Sequence, residues 1–133
     1  MNKELLLKVR AQILAEPKQF IMGTWYTNNP YDSEGCDRLW KDVEVPNCGT
    51  AACIAGWAIA LQDKVSPSEA IGALMKASRY LGIDQEIAED LFYEYHWDDE
   101  LLDRWVEAES LEERAQIAAE RIDQFIASYD KQI

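Results

Sequence analysis

The chain has 133 residues, of which 48% are hydrophobic and 29% are charged, and its formal net charge is −12 at neutral pH. This length and balance predict a single globular domain over residues 1–133 and exclude a disordered or low-complexity chain. The negative charge argues against direct binding to nucleic acid or to an anionic membrane, and it favours basic partners or cations.

The location of the protein is predicted from its amino-terminal segment and its cysteines. Residues 1–10 lack the long apolar run and cleavage site of a secretory signal. The longest charge-free stretch, residues 45–62, begins with turn residues, and its apolar part is too short to cross a bilayer of about 30 Å. Three cysteines, an odd number, in a chain without an export signal predict reduced thiols and a cytoplasmic protein.

The first fifteen residues predict an amphipathic helix, because their apolar positions recur at steps of three and four. These positions are Leu5, Leu6, Val9, Ile13 and Leu14. Pro17 is expected to stop the helix. Residues 20–48 have the composition of turns and predict a long ordered loop. Within this loop, the alternating apolar residues of the segment 38–45 are compatible with one short hairpin.

Two helices are predicted in the middle of the chain, and we expect them to pack as a hairpin. The first is capped by Thr50 and runs to about Leu61 through small and apolar residues. The second has Ser66 as its cap, proline in its first position and Gly82 after its end. Because no charge appears in the first of these helices, it is expected to lie inside the core.

Three more helices are predicted in the second half of the chain. One spans Asp84–Tyr95, and the next begins at Asp98 or Asp99. Ser110 and Glu113 form a capping box that opens the last helix. Together the elements predict a mainly all-α protein, an irregular bundle of five to six helices with the long loop near residues 20–48.

The negative charge lies in one segment of the sequence. Residues 84–113 contain thirteen acidic side chains and one basic side chain, Arg104, whereas the residues on either side sum to zero. Six of the acids fall into two rows at spacing four, which places neighbours on one face of a helix. The rows are Glu86, Asp90 and Glu94, then Asp99, Asp103 and Glu107. They are interpreted either as a solvated helical face or as a surface that binds a basic protein or mimics nucleic-acid charge.

Cys53 has two opposing interpretations. Its position in the first turn after Thr50 would place the sulfur at the positive end of a helix dipole, which lowers a thiol pKa and permits nucleophilic chemistry. His96 is the only histidine, so any Cys–His pair must include it. The surrounding small and apolar residues favour a buried sulfur that acts as a small hydrophobic group. A disulfide or redox pair between Cys48 and Cys53 remains open.

No metal or other cofactor is predicted. Cys36, Cys48, Cys53 and His96 would make a zinc set of suitable chemistry. Their spacing argues against such a site, because structural zinc sites bring their ligands in close pairs two to four residues apart. The sequence also lacks the loops of EF-hand and phosphate-binding sites.

Two segments resemble a family of small, uncharacterised bacterial and phage proteins, and together they cover about a third of the chain. The residues that carry the resemblance are Ala15, Glu16, Pro17, Phe20, Met22 and Trp25 of AEPKQFIMGTW, and Cys48, Gly49, Thr50, Ala52, Cys53, Ala55, Gly56 and Ala58 of CGTAACIAGWA. The resemblance implies that Cys48 and Cys53 belong together. It implies no activity, cofactor or ligand.

Two functions of different classes follow from these observations. The first is a non-enzymatic interaction module that presents the acidic face of residues 84–113, with the six carboxylates of the two rows, to a basic protein partner. The alternative is a thiol-based enzyme or redox switch that uses Cys53 with Cys48 and, if a base is needed, His96.

Overall fold

A computed structural model describes residues 1–20, 53–64 and 73–131, apart from the side chains of four of them: Gln19, Ala73, Asp130 and Lys131. The described residues form six α-helices and two short 3-10 turns, and no strand occurs among them, which confirms the all-α prediction. The helices are α1 (Lys3–Ala15), α2 (Ile54–Asp63), α3 (Ala73–Leu81), α4 (Gln85–Phe92), α5 (Asp99–Glu107) and α6 (Leu111–Lys131), and the turns are Pro17–Gln19 and Glu94–His96. The predicted hairpin lies outside the described residues.

The last three helices begin where the sequence predicts, because each is capped by a short polar side chain. The side chains of Asp84, Asp98 and Ser110 accept a hydrogen bond from the backbone N–H two or three residues later, at 2.9–3.1 Å. Each bond satisfies one of the N–H groups that have no partner inside the helix. The Glu113 carboxylate completes the last cap by accepting the N–H of Glu109 at 2.8 Å.

Helix α3 ends at the predicted glycine. Gly82 has a φ of +68°, a conformation that a residue with a side chain rarely adopts. The N–H groups of Gly82 and Ile83 donate to the carbonyls of Arg79 and Ser78 at 3.1 and 3.0 Å, which is the Schellman motif. The predicted start of this helix at Ser66 lies outside the described residues.

Asn2 joins the beginning of α1 to the end of α3. Its side-chain oxygen accepts the N–H of Leu5 at 3.1 Å and so caps α1. Its backbone N–H donates to the Leu81 carbonyl at 2.6 Å, and its side-chain amide donates to the Tyr80 carbonyl at 3.3 Å. One residue therefore satisfies backbone groups at two helix ends.

Two predicted helix boundaries differ from the structure. Helix α2 begins at Ile54 with Cys53 as its cap, rather than with Thr50 as cap and Cys53 inside the helix, because Cys53 has extended backbone angles of −80° and −176°. Helix α4 ends at Phe92 rather than at Tyr95. Tyr93 is extended there, and it is followed by the 3-10 turn Glu94–His96.

Helix α2 forms the middle of the core. Every residue from 54 to 60 is buried, as the absence of charge predicts. The helix packs against α1, α3 and α4, and its small residues allow these neighbours to come close. Buried side chains from all six helices belong to one continuous hydrophobic cluster.

Helix α6 is the longest element, with 21 residues, and it lies against α1, α4 and α5. Its apolar side is buried or half-buried: Leu111, Ala115, Ile117, Ala118, Ile122, Phe125, Ile126 and Tyr129. Its other side carries charged residues such as Glu112, Glu120 and Asp123. Among the helices that the structure describes, none is both long enough and apolar enough to span a membrane.

Candidate functional site

The acidic segment, residues 84–113, covers α4, the Glu94–His96 turn and α5. Eleven of its thirteen acidic residues are exposed, and the other two, Glu89 and Glu94, are partly buried. Buried acids are rare in folded proteins, and the arrangement leaves most of the −12 charge in contact with solvent.

The single basic side chain of the acidic segment is paired with an acid outside it. Arg104 donates two hydrogen bonds to the Glu120 carboxylate of α6, at 3.1 and 2.6 Å. This two-point geometry is the favoured one for arginine and a carboxylate. Arg104 therefore bonds directly to an acid outside the segment, while the charges of Glu100 and Glu113 act on it from within the segment.

Some carboxylates of the acidic segment have a structural role. Asp84 and Asp98 cap helices, and Asp98 also accepts a hydrogen bond from Gln124 of α6 at 2.9 Å. The hydrogen bonds from the Leu101 N–H and from Gln124 hold the pKa of Asp98 below its ordinary value. These acids are needed for the fold, and their conformations are fixed by it.

The second predicted row, Asp99, Asp103 and Glu107, is formed as expected. All three residues lie on α5 at spacing four and are exposed. Among the residues that the structure describes, none of these three side chains has an ion-pair partner or accepts a hydrogen bond. We call this row the α5 acidic row.

The first predicted row is broken by the end of α4. Glu86 is exposed near the start of the helix. The carboxylate oxygen Oδ1 of Asp90 lies 3.2 Å from Nδ1 of His96. Glu94 lies beyond the helix end, in the 3-10 turn, so it does not continue the row. Its side chain is partly buried, and desolvation raises the pKa of Glu94 above its ordinary value.

An exposed apolar side chain lies next to the α5 acidic row. Helix α5 carries Leu101, Leu102, Trp105 and Val106, of which Leu101 and Trp105 are buried, Leu102 is half-buried and Val106 is 59% exposed. At 100° per residue, Val106 follows Leu102 by one turn on the edge of the face that carries Asp103. The exposed surface of α5 is therefore acidic with an apolar margin.

The structure places Cys53 where its thiol is shielded and neutral. Cys53 is a free thiol that is 2% exposed, and its sulfur accepts the Gly56 N–H at 3.4 Å. Burial raises the pKa of Cys53 to about 11, because desolvation outweighs the nearby backbone N–H groups, which lower it. Of the two interpretations from the sequence, the buried sulfur that acts as a small hydrophobic group agrees with this placement, and the activated thiol does not.

The structure does not bring His96 to Cys53. The described contacts of His96 are with Asp90, Tyr93 and Tyr95, and none is a hydrogen bond to the Cys53 sulfur. The other two cysteines lie outside the described residues. Within the described part of the chain, no three metal-ligating side chains come together.

Three aromatic rings meet at the 3-10 turn between α4 and α5. The rings of Tyr93 and Tyr95 are stacked, with centroids 5.4 Å apart and planes 17° apart. The His96 ring contacts both, at 5.8 Å from Tyr93 and 4.8 Å from Tyr95. We call these residues the aromatic cluster. This cluster was not predicted from the sequence, where its only signal is the density of aromatic residues in FYEYHW.

A scan of protein-family models, a search of curated proteins and a search of solved structures found no match to this chain. The geometry of the acidic segment therefore carries the functional argument by itself.

Proposed function

We propose that the protein is a non-enzymatic interaction module whose α5 acidic row, together with Glu86, binds a basic protein partner. The observation that carries this proposal is the row of three exposed carboxylates on α5 that have no ion-pair partner among the described residues. Asp90 and Glu94 are proposed as secondary contacts, because Asp90 is already near His96 and Glu94 is partly buried.

The α5 acidic row is costly to the free protein. Like charges at spacing four destabilise a helix by about 0.2–0.5 kcal/mol for each pair. Glu107 is also the last residue of α5, where the negative end of the helix dipole disfavours an acid. A cationic partner would relieve both repulsions, and the apolar side chain of Val106 beside the row offers it an uncharged contact.

The proposal is tested with two variants that change the net charge equally. Asp103→Asn combined with Glu107→Gln removes two charges from the α5 acidic row. Glu4→Gln combined with Glu16→Gln removes two exposed charges from α1 and its end. Partners are first captured by pull-down at low and moderate salt, and the affinity of each purified partner is then measured by calorimetry.

We expect the α5 pair of substitutions to weaken binding severalfold at low salt, and the α1 pair to leave the affinity near that of the unmodified protein. Binding should also weaken as ionic strength rises, since salt screens exposed charges. Equal weakening by both pairs would show that net charge alone is sensed, and the absence of any salt-sensitive partner would end the proposal.

The thiol-based alternative is tested independently by alkylation. An activated cysteine reacts with iodoacetamide well below pH 8.5, whereas a buried neutral thiol hardly reacts in the folded protein. Mass spectrometry after labelling across a pH series would report on Cys36, Cys48 and Cys53 separately. The burial of Cys53 leads us to expect protection of that residue.

We also propose a cytoplasmic setting, which the free thiol of Cys53 supports, since reduced cysteines are typical of that compartment. Membership of the bacterial and phage family that the sequence resembles stays a prediction.

A further inference from the structure

The aromatic cluster lies in the middle of the acidic segment, at the turn that joins α4 to α5. We propose that Tyr95, supported by Tyr93 and His96, receives an arginine side chain of the basic partner, whose guanidinium contacts the exposed ring. This inference rests on the proposed function, and it specifies which cationic side chain the partner supplies and where it binds.

The ring of Tyr95 is largely exposed to solvent. Tyr95 is 65% exposed, more than the three other large hydrophobic residues that are exposed in the described structure, which are Leu7, Met75 and Val106. Burial of an aromatic ring is a large source of binding energy, and tyrosine is enriched where interfaces bind most tightly. An uncovered ring at this place is therefore a suitable contact for a partner.

Two neighbouring rings hold the Tyr95 ring in one orientation. Tyr93 is only partly exposed, and it stacks on Tyr95 while His96 approaches Tyr95 at an angle of 67°. Two neighbours therefore restrict the Tyr95 side chain before any partner arrives. A side chain that is already ordered loses less entropy on binding, which favours affinity.

The negative charge around the rings indicates that the partner side chain bound there is a cation. Asp90 lies 3.2 Å from the His96 ring, Glu94 belongs to the turn itself, and the charge of Glu89 acts on Tyr93. Within the described structure, none of these three carboxylates forms an ion pair with lysine or arginine; the nearest such contact is from Arg121, which donates to the backbone carbonyl of Asp90 at 3.1 Å and interacts with the Asp90 charge. Electron-rich ring faces and carboxylates both attract cations, and both disfavour an acidic partner.

Arginine fits this combination better than lysine does. A guanidinium is planar, so it stacks on an aromatic ring while its N–H groups donate to a carboxylate beside the ring. The compact, strongly hydrated ammonium of lysine gains less from the ring. The proposal therefore predicts a preference for arginine that charge alone would not produce.

The experiment compares a nonaarginine peptide with a nonalysine peptide, each titrated by calorimetry at low salt. The variants are Tyr95→Ala, which removes the ring, and Tyr95→Phe, which keeps it. Met75→Ala, on α3, is the control that removes another exposed large side chain. Because Tyr95 is exposed, its substitution is not expected to disturb folding, and circular dichroism checks this.

We expect Tyr95→Ala to weaken binding of the arginine peptide about two- to fivefold, the range of exposed cation–π contacts, with a smaller effect on the lysine peptide. Tyr95→Phe and Met75→Ala should bind as the unmodified protein does. Proton NMR of the bound arginine peptide should show upfield shifts next to the guanidinium, and Tyr95→Ala should abolish them.

The outcomes separate this inference from the proposed function. If the unmodified protein binds both peptides in a salt-sensitive way and Tyr95→Ala binds arginine equally well, the inference is wrong and the acidic module stands. If the α5 pair of substitutions leaves binding unchanged while Tyr95→Ala reduces it, the α5 acidic row is not the main contact with the partner, and that part of the proposed function is wrong. If neither peptide binds, both proposals are overturned.

Discussion

Helices α2 and α5 are nearly equal in length, with ten and nine residues, yet they have opposite environments. Residues 54–60 of α2 are all buried, whereas α5 buries only Leu101 and Trp105 and exposes a row of acids. Their caps differ in the same way, since Cys53 caps α2 with a buried sulfur and Asp98 caps α5 with an exposed carboxylate. Helix α2 is therefore required by the fold, whereas the outer surface of α5 is available for binding.

The largest test of this contrast is truncation of one apolar side chain on each helix. Ile54 of α2 is fully buried, so Ile54→Ala should lower the free energy of unfolding by about 2–5 kcal/mol. Val106 of α5 is mostly exposed, so Val106→Ala should change it by less than about 0.5 kcal/mol. Urea denaturation measures both values. A large loss for Val106→Ala would show that this side chain supports the fold.

The cap of α2 gives the next effect. Cys53→Ala removes the hydrogen-bond acceptor for Gly56 and leaves a small void, so we expect a loss of about 1–2 kcal/mol in the free energy of unfolding. Cys53→Ser keeps an acceptor at the cap and should cost less. Thermal denaturation of the two variants provides the measurement, and a smaller loss for alanine than for serine would contradict a capping role for the sulfur.

The cap of α5 should respond to pH. Asp98→Ala is expected to lower stability by about 1 kcal/mol at neutral pH, because the Leu101 N–H loses its acceptor. The pKa of Asp98 is lowered in the folded protein, so its contribution is complete above the unfolded-state value and is lost as pH falls through the lowered one. Unfolding curves of both proteins from pH 7 to about pH 2 should therefore converge at the acidic end.

The smallest effect has the opposite sign. Asp103→Asn combined with Glu107→Gln should raise the free energy of unfolding by about 0.4–1 kcal/mol, since it removes both like-charge pairs of the α5 acidic row. The same variant is the one expected to weaken partner binding. Stability that increases while affinity decreases, measured by denaturation and calorimetry, would mark the α5 acidic row as a functional surface. A decrease in the free energy of unfolding would instead show that Asp103 and Glu107 stabilise the fold.

Local signals in the sequence predicted much of the fold. The caps at Asp84, Asp98 and Ser110 and the glycine after α3 depend on neighbouring residues, so they are visible in a short window of sequence. The start of α2 was misplaced because cysteine is not among the usual capping residues. The end of α4 was missed because Tyr93 is neither glycine nor proline, and only the tertiary structure makes it extended there.

The candidate site was predicted in part. The α5 acidic row follows from spacing within one helix, so the sequence was sufficient for it. The pairing of Arg104 with Glu120 and the contact of Asp90 with His96 depend on how separate elements pack. The helix-start position of Cys53 and its apolar neighbours pointed in opposite directions, and the packing of the core decides between them, because desolvation raises the pKa of this thiol.

Asn2 links two helix ends that are about eighty positions apart in the chain, and this connection affects how the protein opens locally. The first turn of α1 and the last turn of α3 share Asn2 as an anchor, so fraying of either removes one of the contacts that hold the other. Amide protons at both ends should exchange with deuterium at similar rates, and Asn2→Ala should accelerate the two together. Local opening at Asn2 would therefore be detected as faster amide exchange at two helix ends that are distant in the sequence.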